Sequence, residues 1–249
     1  MTTLAGSVVL VAGGAGAVGE GIVAALLDAG ATVAVPSRDT RRLDGLRDRV
    51  GGADRLLGVV GDVADPADAG LVRDEVVGTL GPPDAVIAAV GGWASGPKLA
   101  DVSLPRWDAV LAGNLRTHQV IASTYVPLLR ERPGATYGVI VGDTAQQPVA
   151  GAGPVSVAAA AELMAARVLG IEEREAGVGV LAFVLGPVIT RDRPAGRPEW
   201  LTAREVGEVV ARGIADRVGL TTAEETSVVE SPERSGRERV VISRDGSAG

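Results

Sequence analysis

The chemistry-bearing stretch nearest the start of the chain is Gly13-Gly14-Ala15-Gly16-Ala17-Val18-Gly19, a Gly-x-x-Gly-x-x-Gly turn between an apolar run at 7–12 and a helically spaced stretch at 17–29. Glycines at this spacing let the backbone turn tightly and approach a pyrophosphate. The helix that follows offers free N–H groups and the positive end of its dipole. Gly13, Gly16, Val18 and Gly19 are therefore candidate phosphate-cradle residues. The competing explanation is a Gly-rich turn in a chain with 35 Gly; the strand before it and the helix after it favour the cradle. At the tip of the next strand stand Ser37 and Arg38. An acid there would bind a ribose 2′-hydroxyl, whereas a guanidinium suits a 2′-phosphate through paired, charge-assisted bonds. The alternative is a solvated Arg beside Arg41 and Arg42. NADP(H) is thus the expected cofactor, with NAD(H) as the alternative.

Other reactive groups are scarce. The 249 residues include no Cys, one His (His118), two Tyr (Tyr125 and Tyr137) and one Lys (Lys98). Thiolate chemistry, disulfides and cysteine metal sites are excluded, and one His makes no zinc cluster, so no metal site is expected. The formal charge of −7 argues against general nucleic-acid binding, which needs clustered Lys and Arg. No apolar stretch reads as a membrane span, and residues 1–10 lack a basic region before their apolar run. The expectation is a soluble, cytoplasmic protein.

Short β-branched runs alternate with helical stretches along the whole chain. Strands are predicted at 7–12, 32–36, 55–61, 85–90, 136–142, 179–185 and 239–243. Helices are predicted at 17–29, 40–50, 66–79, 105–130, 154–176 and 202–218, the last opened by a Thr202/Glu205 capping box. Residues 221–238 are polar and charged and read as a mobile loop. Such alternation, with short links and no internal linker, predicts one α/β domain over 1–249 with a mainly parallel sheet.

With these elements in place the chain resembles the short-chain dehydrogenase/reductase family over nearly its full length. Asp62-Val63 matches the pair that holds the adenine ring there. Ala88-Ala89-Val90-Gly91 sits where the family has Asn-Asn-Ala-Gly, so only Gly91 is kept. Asn114 matches the family's helix Asn, used for a kink and a water relay. Gly186-Pro187-Val188-Ile189-Thr190 matches the Pro-Gly-x-Val-x-Thr stretch on the nicotinamide side, through Val188 and Thr190. The resemblance implies a Rossmann-like, doubly wound, mainly parallel seven-stranded sheet with helices on both faces. It also implies a homodimer or homotetramer built on the two long helices, the second of which carries the small residues Ala158 to Ala161.

The resemblance breaks at the catalytic motif. The family's Tyr, which moves the substrate proton, and its Lys four residues on, which lowers the Tyr pKa, align with Val155 and Ala159. Tyr125 and Tyr137 are followed four residues later by Leu129 and Val141, so no shift of register restores the pair. The loop 142–153 offers replacements: Asp143 as an acid or base, or as a turn cap, and Thr144 to orient a carbonyl. Asn114, Asp143 and Thr144 are the catalytic candidates. His118 reads as a packing or interface residue, Ser156 as a small residue for helix packing and Lys98 as solvent-facing. Trp93 covers a flat ligand or closes a strand end.

Three functions remain open. The first is an NADP(H)-binding, divergent oxidoreductase acting on a small-molecule substrate without the Tyr/Lys pair. The second is a catalytically silent nucleotide or small-molecule binder, or the inert subunit of a mixed oligomer with an active homologue. The third is a non-redox enzyme that reuses the same cleft.

Overall fold

The computed structural model describes residues 3–51, 53–218, 227–230 and 240–242. In chain order the elements are β1 (Val8–Ala12), α1 (Gly19–Asp28), β2 (Thr32–Ser37), α2 (Thr40–Val50), β3 (Leu56–Val60), α3 (Pro66–Leu80), β4 (Ala85–Ala88) and α4 (Leu104–Leu111). They continue with α5 (Thr117–Leu129), β5 (Thr136–Gly142), α6 (Gly153–Glu172), β6 (Gly179–Leu185), α7 (Ala203–Val218), β7 (Ser227–Glu230) and β8 (Val240–Ile242).

The strands are apolar on both faces because helices cover both. Alternate side chains of β1 separate cleanly: Leu10 and Ala12 enter a core under α3, α5 and α6, while Val9 and Val11 enter a core under α1, α2 and α7. β6 repeats the division, Val180, Ala182 and Val184 on one side and Leu181, Phe183 and Leu185 on the other. Six parallel strands in the order β3-β2-β1-β4-β5-β6 form the body of the sheet. The fold is Rossmann-like.

Four expectations are corrected. The sheet does not have seven strands: beyond the six-stranded body, β7 pairs parallel with β6 and β8 antiparallel with β7, making eight. Ser227–Glu230 falls inside the stretch read as a loop; 221–226, 231–238, Arg239 and Ser243 lie outside the described residues. The single helix predicted over 105–130 is instead α4 and α5 joined by a π-helical turn, Ala112–Arg116. The amide of Asn114 stabilises that wide turn by donating from Nδ2 to the Val110 carbonyl at 2.8 Å. Finally, the 20-residue α6, with a mean hydropathy of 1.5, is long and apolar enough to cross a membrane. Its Ala159, Leu163 and Ala166 are buried in the sheet core beside Tyr137.

Asp65 caps α3 by accepting from Ala67 and Asp68 N–H groups, with Pro66 at the first position. At α7 the Glu205 carboxylate accepts from the Thr202 N–H at 2.8 Å while the Thr202 hydroxyl accepts from the Glu205 N–H at 3.2 Å, the expected capping box.

Candidate functional site

The sheet order reverses at β1, whose neighbours are β2 and β4. Crossovers leave it in opposite directions, so a crevice opens at the carboxyl ends of β1 and β4. The glycine turn fills the β1 side. Gly13 has φ +83°, and a Cβ there would stand 2.1 Å from the Ala89 carbonyl oxygen at the end of β4. A Cβ on Gly19 would stand 2.1 Å from the Gly13 carbonyl oxygen; one on Gly16 would stand 3.0 Å from the same atom. Gly16 N–H donates to the Gly13 carbonyl at 2.9 Å, tightening the turn. Val18, the residue before α1, makes no side-chain cap bond. This is a backbone cradle in which Gly13 and Gly19 leave no room for a side chain, ending on a helix N-terminus. It fits an anionic group such as a pyrophosphate.

The other candidates line up along the same edge. Ser37 ends β2, its hydroxyl donating to the Asp39 carbonyl at 3.2 Å. Asp39 is occupied as the α2 cap and paired with Arg41, which holds its carboxyl below the usual range. Arg38 beside it is exposed, 3.6 Å from Asp62, whose Oδ1 accepts from the Ala64 N–H. Val63 is half-buried against the core. Gly91 has φ +101°, and a Cβ there would stand 2.3 Å from Asn114 Oδ1. That oxygen accepts from the Gly92 N–H at 2.9 Å. Both ends of the Asn114 amide are therefore engaged in holding the loop after β4 onto the π-helical turn. Val188 is buried, and the Thr190 hydroxyl accepts from the Arg193 N–H at 3.2 Å.

Of the catalytic candidates, Asp143 is half-buried at the end of β5. Its Oδ2 lies 3.3 Å from where a Cβ on Gly186 would be, and burial pushes its carboxyl up despite a bond from the Thr144 N–H. Its backbone carbonyl accepts from the Gln146 and Gln147 N–H groups. Thr144 is buried, and its hydroxyl has no partner among the described residues. Both Tyr are core residues. Tyr125 donates to the Ala69 carbonyl at 3.4 Å and Tyr137 is fully enclosed; burial raises both phenols well above their ordinary value. Neither can serve the crevice as an acid. The first turns of α6 carry Val155, half-buried, and Ala159, buried. Trp93 and Lys98 are exposed.

One feature escaped sequence reasoning. His118, on α5, and Glu162, on α6, are each 7% exposed and lie 3.8 Å apart. That is too long for a hydrogen bond, and neither imidazole nitrogen has a partner among the described residues. Burial lowers His118 to about 4, the Val90 backbone opposing it in smaller part, and raises Glu162 to about 7. An ion pair would move both the other way, so the two are neutral neighbours at mildly acidic pH. The signal in the sequence was Glu162 at the buried spacing of Ala158, Ala159, Leu163 and Ala166. Because Glu162 is raised above its ordinary 4.5, its stability contribution is fully present below that value and is lost as pH rises through about 7. Glu162→Gln is expected to melt like the parent near pH 4.5 and higher than it near pH 8, by ~1–3 kcal/mol. Thermal melts at the two pH values check this; equal differences at both would refute it.

Residues 7–198 match the family model described as short chain dehydrogenase. The chain belongs to the short-chain dehydrogenase family. A short chain dehydrogenase/reductase of Colletotrichum higginsianum, dpchG, is 32% identical over 136 residues, 53% of this chain and 50% of that protein. An uncharacterized oxidoreductase of Mycobacterium tuberculosis is 30% identical over 54% of this chain and 51% of its own length. The chain thus spans about half the length of these two curated relatives. Among solved structures, a short-chain dehydrogenase/reductase of Serratia marcescens superposes with a TM-score of 0.80 at 22% identity, over 92% of this dehydrogenase-family chain and 98% of that one. A short chain oxidoreductase of Pseudomonas aeruginosa PAO1, described as containing an atypical catalytic center, superposes in its NADPH-bound form with a TM-score of 0.80 at 24% identity, over 96% and 100% of the two chains. These likenesses establish the shared fold.

Proposed function

We propose that this short-chain dehydrogenase-family chain is one domain that binds NADP(H) in the β1/β4 crevice and works as a divergent oxidoreductase on a small-molecule substrate. The observation that carries the reading is the cradle: Gly13 and Gly19 sit where any Cβ would collide with backbone, and the helix behind them starts uncapped. When bound, the nicotinamide supplies the hydride. The chain would supply orientation. Gly13, Gly16, Val18 and Gly19 would hold the pyrophosphate, Asp62 and Val63 the adenine end, and Gly91, Val188 and Thr190 the nicotinamide end. Asn114 would fix the loop between them through Gly92.

The family's proton-transfer pair is replaced by Val155 and Ala159, neither of which can carry a proton. Asp143, raised by burial at the end of β5, is the carboxyl placed to supply one, directly or through water. The Pseudomonas structure, described as NADPH-bound and containing an atypical catalytic center, supports the reading that this fold can hold the cofactor where the catalytic center departs from the usual one. The same two apolar residues also favour a second reading, a silent binder or inert partner subunit. Turnover over a carbonyl panel by a chain that binds NADPH separates the two: measurable turnover supports the oxidoreductase, and saturable binding with none supports the silent protein.

Ser37 and Arg38 would receive the 2′-phosphate. Arg38 stands beyond hydrogen-bond reach of Asp62 and largely in solvent, free to turn to a ligand. Arg38→Ala is expected to weaken NADPH roughly tenfold and leave NADH unchanged. Titration of both cofactors measures it; equal losses would refute the assignment.

We also propose association through α6. Val157, Met164, Val168 and Ile171 are exposed along one stripe of that helix. Of the run Ala158 to Ala161, Ala158 and Ala159 are buried against the sheet, while Ala160 is exposed and Ala161 half-buried, so the outer half of the run would join the stripe in meeting a second copy.

A further inference from the structure

Arg191 follows Thr190 in the segment between β6 and α7, and its side chain reaches back across the glycine turn. Nη2 lies 3.3 Å from the Ala15 carbonyl oxygen and Nη1 3.4 Å from that of Gly16; Nη1 also pairs with the Glu20 carboxylate in the first turn of α1. We infer that Arg191 is a pyrophosphate clamp, which leaves these carbonyls and closes its two N–H edges onto the bound dinucleotide. The inference rests on the reading that the crevice takes NADP(H).

The two carbonyl contacts are long, so exchanging them for an anion costs little. Glu20 does not need Arg191, because Arg49 from α2 donates to the same carboxylate oxygen at 2.7 Å. Two guanidinium groups thus share one carboxylate, and one of them is spare when a second anion arrives. Asp192, 3.5 Å from Arg191 Nε, is itself largely in solvent and competes weakly.

The backbone beneath Arg191 is anchored. Ile189 N–H donates to the Leu201 carbonyl at 2.8 Å, Ala203 N–H to the Ile189 carbonyl at 2.9 Å, and Thr190 N–H to the Arg193 carbonyl at 3.0 Å. The moving part is the side chain alone. Its planar fork matches two phosphate oxygens, and its Nη atoms against the Ala15 and Gly16 carbonyls bring positive charge to the turn. Glu20, which would otherwise repel a phosphate from the helix start, stays neutralised by Arg49. Nothing in the sequence singles Arg191 out, since it is one of many Arg and 175 residues separate it from Gly16.

The test is a set of binding titrations on the full chain with three probes. These are NADPH, ADP-ribose (which keeps the pyrophosphate and lacks the nicotinamide) and 2′-AMP (which has no pyrophosphate). Arg191→Ala is expected to weaken NADPH and ADP-ribose roughly ten- to hundredfold and to leave 2′-AMP unchanged, with Arg191→Lys between. Affinities within about twofold of the parent for NADPH and ADP-ribose, or an equal loss for 2′-AMP, would overturn the clamp. If Arg191→Ala does not fold, Arg191→Lys decides, and unchanged affinity overturns it. A parent chain that binds none of the probes overturns the cofactor reading itself, a result distinct from any difference between variants.

Discussion

Gly19→Ala is expected to abolish measurable NADPH binding, a loss of about a hundredfold or more, while Gly16→Ala costs less. The cause is steric. A Cβ on Gly19 would sit 2.1 Å from the Gly13 carbonyl oxygen, and that carbonyl is fixed because it accepts from the Gly16 N–H. Relief requires the turn to open, which moves the N–H groups that would face the pyrophosphate. On Gly16 the same approach is 3.0 Å, which a shift of a few tenths of an ångström relieves. Two lost charge-assisted bonds account for the larger effect. Circular dichroism and thermal melts would separate a damaged turn from an unfolded chain, because opening the turn leaves the strands intact. Equal NADPH affinity in Gly19→Ala and the parent would mean that the turn is not the seat of the cofactor.

The second large effect is a gain. Installing Tyr and Lys together, as Val155→Tyr with Ala159→Lys, is expected to raise NADPH-dependent carbonyl reduction by roughly a hundred- to ten-thousandfold over the parent. The two positions are one helical turn apart and therefore share a face of α6. Either substitution alone is expected to give far less, since a phenol without a neighbouring ammonium is a weak proton donor to the forming alkoxide near neutral pH, and an ammonium alone cannot replace it. Ala159 is 4% exposed, so the Lys must find room beside the core, at a stability cost of ~1–3 kcal/mol. Initial rates of NADPH oxidation over a panel of carbonyl compounds measure the gain. A double variant that folds, binds NADPH and turns over no faster than the parent would show that the deficit lies elsewhere than in these two residues.

Much of the frame is legible in the sequence because local signals agree with the tertiary ones. The strands at 136–142 and 179–185 and the helix at 40–50 can be read to the residue, since β-branched runs bounded by Gly and a stretch charged on one side leave few alternatives. The π-helical turn is not legible, because Ala112–Arg116 keeps helical spacing and the bonds that accompany it, Asn114 Nδ2 to the Val110 carbonyl and the Thr117 hydroxyl to the Ala112 carbonyl, leave no mark on the sequence pattern. The seven-strand count fails at β7 alone, whose four residues in a polar stretch are too few to show a period; β8 falls within the strand read at 239–243. At the site, motif glycines and strand-tip residues can be placed from the sequence because the backbone dictates them. The His118–Glu162 neighbourhood and the reach of Arg191 cannot, because each joins segments far apart in the chain and depends on how helices and loops close over the sheet.

In the function proposed above, a dinucleotide cradle on Gly13 to Gly19 operates with Val155 and Ala159 of α6 at the positions of the family's Tyr and Lys. A crystal structure of the full chain grown with NADPH tests it most directly. The expected result is the pyrophosphate on the turn of Gly13 to Gly19, the 2′-phosphate at Ser37 and Arg38, and the nicotinamide near Val188 and Thr190 with Val155 and Ala159 facing it. An empty crevice at saturating NADPH, or a cofactor seated elsewhere, would contradict it.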